Sequence, residues 1–249
     1  MSAPGYRTAA ELDPQIASAL LQWGLSLADT KQRMGQRLAE WAFGGAPALE
    51  AAVGSSAMTQ DELGHARSLF SMLREFPGAP PELGTETDLG DRTEYFSPRL
   101  LDQTWESWLD VIAVNVLLDR ALALVFESLR KSQFAPLQQR AGKVLQEERF
   151  HRIFGDSWLA RLAQRNDLQQ RLRESINSSW LLTFEWFGPP DEPIVDNLCS
   201  AAVLAASMTT IRSQWLHQVN ALLTPHGLLP SASDPDWSQW DSLRRDLPH

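Results

Sequence analysis

The sequence holds one cysteine, Cys199, so it can form no intramolecular disulfide. That usage fits a reducing compartment, and a cytoplasmic location is expected. The residue itself reads as a small buried apolar side chain. No apolar run reaches the length of a bilayer span, so no membrane partner is expected. Met1 to Gln15 lacks the basic-then-apolar order of an export signal. Lysine is scarce: among 22 lysines and arginines, only Lys31, Lys131 and Lys143 are lysines. A net charge of -9, with no basic face in the pattern, argues against nucleic acid. No strand-type alternation is long enough for a sheet. There is no phosphate-cradling glycine loop, no Ser–His–Asp set, and no flavin or iron–sulfur signature. Tryptophan is abundant, with 10 residues, as in an aromatic core or a subunit interface.

The apolar residues step by three and four, the helical period. A first helix is expected from Pro14 to about Ala42, with the stripe Leu20, Trp23, Leu27, Met34, Leu38, Trp41. The missing step in it is Lys31. A second helix, from about Pro47 to Phe76, carries Met58, Glu62, His65, Leu69, Met72 and Phe76. Residues 77–97, rich in Pro, Gly and acids, read as a long surface crossover. A third helix, from near 98–102 to about Lys131, places Asp119 in its stripe between Val116 and Leu122. A fourth carries Val144, Glu148, His151 and Gly155 in unbroken alternation. A fifth is expected over about 168–187 and a sixth over about 194–223. Residues 1–13 read as a loose leader, 14–224 as one domain, and 225–249 as an irregular tail. Two hairpins joined by a long crossover are a ferritin-like four-helix bundle, here all-α with two extra C-terminal helices.

Six ionisable residues thus fall in the seams of four helices: Lys31, Glu62, His65, Asp119, Glu148 and His151. With the turn between the third and fourth helices near 133, Asp119 and Glu148 lie level in an antiparallel hairpin. Lys31 and Glu62 differ by about three residues, or roughly 4–5 Å. Charged groups are almost never buried unless paired or bound to metal. Mixed carboxylate and imidazole donors suit iron or manganese used with oxygen. Glu147 reads as a surface carboxylate or a support for the site, and His217, His226 and His249 as structural or solvated.

On these residues the chain resembles the catalytic and structural subunits of phenylacetyl-CoA epoxidase. The features that carry the resemblance are Asp61-Glu62-Leu63-Gly64-His65, Glu147-Glu148-Arg149-Phe150-His151, Asp119 after Leu117-Leu118, and the stretch Phe187-Gly188-Pro189-Pro190-Asp191. The resemblance implies that Glu62, His65, Asp119, Glu148 and His151 bind iron. It implies oxygen activation for ring oxidation of an aryl-acyl-CoA, with a paralogous ferritin-like subunit and a separate reductase as partners. A dimer or hetero-oligomer is expected. The chain departs from the catalytic pattern in its first helix, where a glutamate ligand is expected and Lys31 stands.

Three carboxylates and one ammonium, with both histidines neutral, carry -2. Two divalent ions would bring this to +2 and one to zero, while protonating both histidines would neutralise it with no metal. Iron is therefore expected as one or two ions, or none. Lys31 either edits the site or runs past Trp41 to the surface. The alternative function is a metal-free scaffold subunit of such a multicomponent monooxygenase, which predicts a tight ion network at Lys31, Glu62, Asp119 and Glu148.

Overall fold

The computed structural model describes residues 5–230 and 235–248. They form helices and turns, with no β-strand among the described residues. Helix α1 (Pro14–Glu40) begins where the Asp13 side chain accepts from the backbone N–H of Gln15 and Pro14 takes the first turn. A π turn, Trp41–Gly45, ends it. Helix α2 (Leu49–Leu73) returns antiparallel to it. The crossover contains a short helix α3 (Glu86–Asp91), started by the Thr85 side chain, which accepts from the N–H of Asp88. Helix α4 (Trp108–Val114) opens with the Asp110 carboxylate accepting from Ser107 N at 2.9 Å. It runs through a π turn, Asn115–Asp119, into α5 (Arg120–Leu129). Helix α6 (Ala135–Ala163) completes the four-helix bundle. Helices α7 (Gln169–Trp186), α8 (Pro193–Ser200) and α9 (Met208–Leu223) pack outside it. The architecture is all-α and consistent with a ferritin-like bundle. The buried apolar side chains form one contiguous cluster. Among the described residues no helix is long and apolar enough to cross a membrane.

Four expectations differ in detail. The third helix starts at Trp108, because Arg99–Leu101 forms a separate 3-10 turn that buries Leu100 and Leu101. The expected sixth helix is two, α8 and α9, parted at Ala202, which takes a left-handed φ of 53°. The described part of the leader is docked: Tyr6 pairs with the backbone at Gln133 and Ala135, and Ala9 and Leu12 are buried. The described part of the tail is docked too, through Arg245. Its guanidinium is buried, donates to the carbonyls of Trp186 and Phe187, and pairs with Glu192 at 2.7 and 2.9 Å. It lies over Gly188, whose φ of +79° stops α7 and whose missing Cβ leaves room for Trp240. Residues 1–4 of the expected leader, and 231–234 and 249 of the expected tail, lie outside the described residues.

Candidate functional site

The seam charges meet. Lys31 on α1 donates from Nζ to Glu62 Oε1 on α2 at 2.9 Å, to Asp119 Oδ1 at 3.2 Å and to Glu148 Oε1 on α6 at 2.6 Å. All four side chains are buried. The Lys31 ammonium also lies 5.7 Å from the centre of the Phe126 ring. It does not run to the surface.

Each histidine is held by the acid that precedes the glutamate of the other Glu-x-x-His motif. His151 gives Nε2 to Asp61 at 3.3 Å and Nδ1 to Asp119 at 3.1 Å. His65 gives Nε2 to Glu147 at 2.6 Å, and its Nδ1 stays unpaired, 3.8 Å from Glu148. His65 therefore borders the cluster, while His151 joins it. Glu62, Asp119, Glu148 and His151 bring four donor atoms within 4.8 Å of one another and could hold a metal ion.

Two supports had no clear sequence signal. Asn115, at the head of the π turn, donates from Nδ2 to Asp119 Oδ2 at 3.2 Å. It fits there only because Gly155 has no Cβ: one would come within 1.7 Å of Asn115 Oδ1. Asp61 was the other, although the acid–Glu-x-x-His order repeats in both motifs and could have pointed to it. Asp29, the nearest carboxylate to Lys31 along α1, is turned away from the centre. It is buried under the crossover, accepting two bonds from Arg92 and one from Phe96 N. No first-helix carboxylate reaches the cluster.

The charge state follows from burial and neighbours. Burial opposes the Lys31 ammonium, but Glu148, Glu62 and Asp119 together hold its pKa well above the ordinary lysine value. His151 is also buried, yet Asp119, Asp61 and Glu62 raise its pKa, so it carries a proton on each nitrogen. His65 is pushed down to about 2 by burial and by Lys31, so it is neutral. Asp119 is lowered despite its burial, chiefly by Lys31 and then by His151. Glu148 is pushed up to about 8 by burial and by Asp119, and Glu62 is raised by burial against the pull of Lys31. Lys31 and Asp119 are thus both held in their charged forms, while burial shifts Glu62 and Glu148 toward their protonated forms.

A groove of about 360 Å³ between α5, α6 and α9 reaches this cluster at Asn115, Asp119 and Glu148. Arg120, Arg130, Arg149 and Arg152 line it. Asp119, Glu127 and Glu148 line it as well, and Arg120 is paired with Asp156, so the groove carries both signs of charge.

The sequence matches the family model for the phenylacetic acid catabolic protein over residues 7–242 of its 249. The chain belongs to that family. Membership points to phenylacetate catabolism and agrees with the helical architecture. No curated protein matches the sequence.

A two-iron centre, which the family resemblance implies, does not fit the residues present. The Lys31 amine takes the middle of the three carboxylates, and the first helix supplies a cation where a ligand is needed.

Proposed function

We propose that this protein is a scaffold-type subunit of a multicomponent phenylacetate-catabolising oxygenase, with its own centre closed by Lys31. The observation that carries this is the ammonium bonded to Glu62, Asp119 and Glu148 at 2.9, 3.2 and 2.6 Å in a fully buried layer. Three carboxylates around one ammonium do what a metal would otherwise do for the fold: they tie α1, α2, α6 and the π turn between α4 and α5 together at one height. Oxygen activation then belongs to a paralogous ferritin-like subunit, with electrons from a separate reductase. The arginine-lined groove offers phosphate grips for an acyl-CoA shared with that subunit.

A second reading is favoured by the four clustered donors and by two unpaired buried atoms, Glu62 Oε2 and His65 Nδ1. In it one divalent ion displaces the Lys31 amine, and the chain is itself an oxygenase-type subunit with a lysine-edited iron site. Elemental analysis of protein purified with iron supplied separates the two. The scaffold reading expects metal near zero per chain and no oxygen consumption by the chain alone. One iron per chain, lost in Glu148→Ala, supports the edited site and ends the scaffold reading. Two irons per chain would end both.

A further inference from the structure

The π turn that carries Asp119 is gripped from outside the four-helix bundle. A π turn holds one residue more than an α turn, which disturbs the helical ladder of hydrogen bonds locally. Here two of its carbonyls take side-chain donors. Trp215, on α9, donates from Nε1 to Leu117 O at 2.9 Å. Arg120 donates from Nε to Val116 O at 3.2 Å and is itself tied to Asp156 on α6. Trp215 is fully buried, and its ring packs on those of Trp180 and Phe187, with centres 5.9 and 5.3 Å away. Burial alone does not produce such a bond: the buried indole N–H groups of Trp108, Trp180 and Trp186 find no acceptor.

We propose that Trp215 is a positioning residue for Asp119, holding the π turn in the register that keeps this carboxylate on Lys31. Leu117 and Asp119 lie in the same turn. Relaxing that turn to α geometry shortens it by one residue and rotates one flank of the helix against the other by about 100°. Asp119 would then leave the seam, and with it the bond of 3.2 Å from Lys31 and that of 3.1 Å to His151. A donor on another helix resists this rotation, because the rotation strips a buried N–H of its acceptor. The same helix reaches the groove at Gln218, so the prop of Asp119 and one wall of the groove are a single element. Helix α9 lies outside the bundle, yet it serves the site.

The proposal rests on Lys31 as the internal cation, and the scarcity of lysine supplies the readout. Lys131 and Lys143 are exposed and Lys31 is buried, so one slowly exchanging lysine ammonium is expected in proton–nitrogen correlation spectra of the full chain. Trp215→Phe keeps an aromatic ring and removes the N–H. It is expected to shift the Lys31 signal and to speed its proton exchange at least tenfold. Trp180→Phe, in the same ring cluster, removes an N–H that has no acceptor and is expected to leave that signal in place. An equal response to both variants, or none to Trp215→Phe, overturns the proposal. If Trp215→Phe misfolds, or the native chain shows no protected ammonium, backbone amide exchange of the native chain decides. Residues 115–119 and α9 are expected to open together. Amides of α9 that exchange more than tenfold faster than those of the π turn overturn the proposal, whereas a missing ammonium signal by itself counts against the account of Lys31.

Discussion

Replacing Lys31 by methionine keeps the four-atom apolar stem and removes the ammonium. In the native cluster that ammonium bonds three carboxylates within 3.2 Å. Without it, Glu62, Asp119 and Glu148 face one another in a buried layer. Removing one partner of a buried ionic group costs about 3–5 kcal/mol. The low end is expected, because burial pushes the Glu148 carboxyl up to about 8, so it takes up a proton readily and can then hydrogen-bond to its neighbours. For a chain of this size that is a drop of roughly 6–12 °C in melting temperature. The same substitution opens the position that four donor atoms surround, so the variant should gain a divalent-cation site. A cation at 100 times its Kd returns about 2.7 kcal/mol, which offsets most of the loss. Thermal and urea unfolding with and without manganese, beside elemental analysis, measure both effects. Lys31→Met should be unstable without metal and recover with it, while the native chain should not respond. A variant as stable as the native chain, or a native chain that gains as much from manganese, would refute the account of Lys31 as the internal cation.

Gly155→Ala should destabilise by about 1–3 kcal/mol, since the new methyl collides with Asn115 Oδ1 and displaces the amide that holds Asp119. Chemical denaturation checks this, and no loss would mean that the π turn yields freely. Arg245→Met strips the buried Glu192 carboxylate of its partner and uncaps the end of α7. A loss of about 3–5 kcal/mol is expected, with proteolysis of the tail as a second readout. The pH dependence has a defined sign. The raised pKa values of Glu148 and His151 mean that the folded chain binds more protons than the unfolded chain between 6.5 and 8. Stability is therefore present at the acid end of that window and lost as pH rises through it. His65, lowered to about 2, acts in the opposite direction, but only below its ordinary value of 6.5. Melting temperature should fall from pH 6.5 to 8, and Glu148→Gln should flatten the fall. A native chain with a level profile would contradict the raised pKa values of Glu148 and His151.

Seam charges can be read from period alone because a buried charge needs a partner, and its partners must be other seam charges at the same height. Lys31, Glu62, Asp119, Glu148 and His151 were legible for that reason, and the same stepping carried the four-helix bundle. His65 sits on the same stripe, yet it turns its Nε2 outward to Glu147. Period gives the side of a helix, not the direction of a ring. Asp61 and Glu147 are part-exposed, and a half-buried acid can be satisfied by water, so nothing in the pattern demanded histidine partners for them. The π turn was hidden for a related reason. Val116 to Asp119 is a step of three in either geometry, so an inserted turn leaves the stripe looking regular. Arg245 and Glu192 are distant in sequence, and no helical period connects a tail to the end of a helix. The crossover was legible as a loop from its Pro and Gly content. Its anchor was not, because Asp29 lies off the α1 stripe and only the fold brings Arg92 over it. That anchor matters for the site. With Asp29 bound to Arg92 and Glu40 paired with Arg37 at the exposed end of the helix, neither α1 carboxylate turns inward, and Lys31 is what α1 offers to Glu62, Asp119 and Glu148.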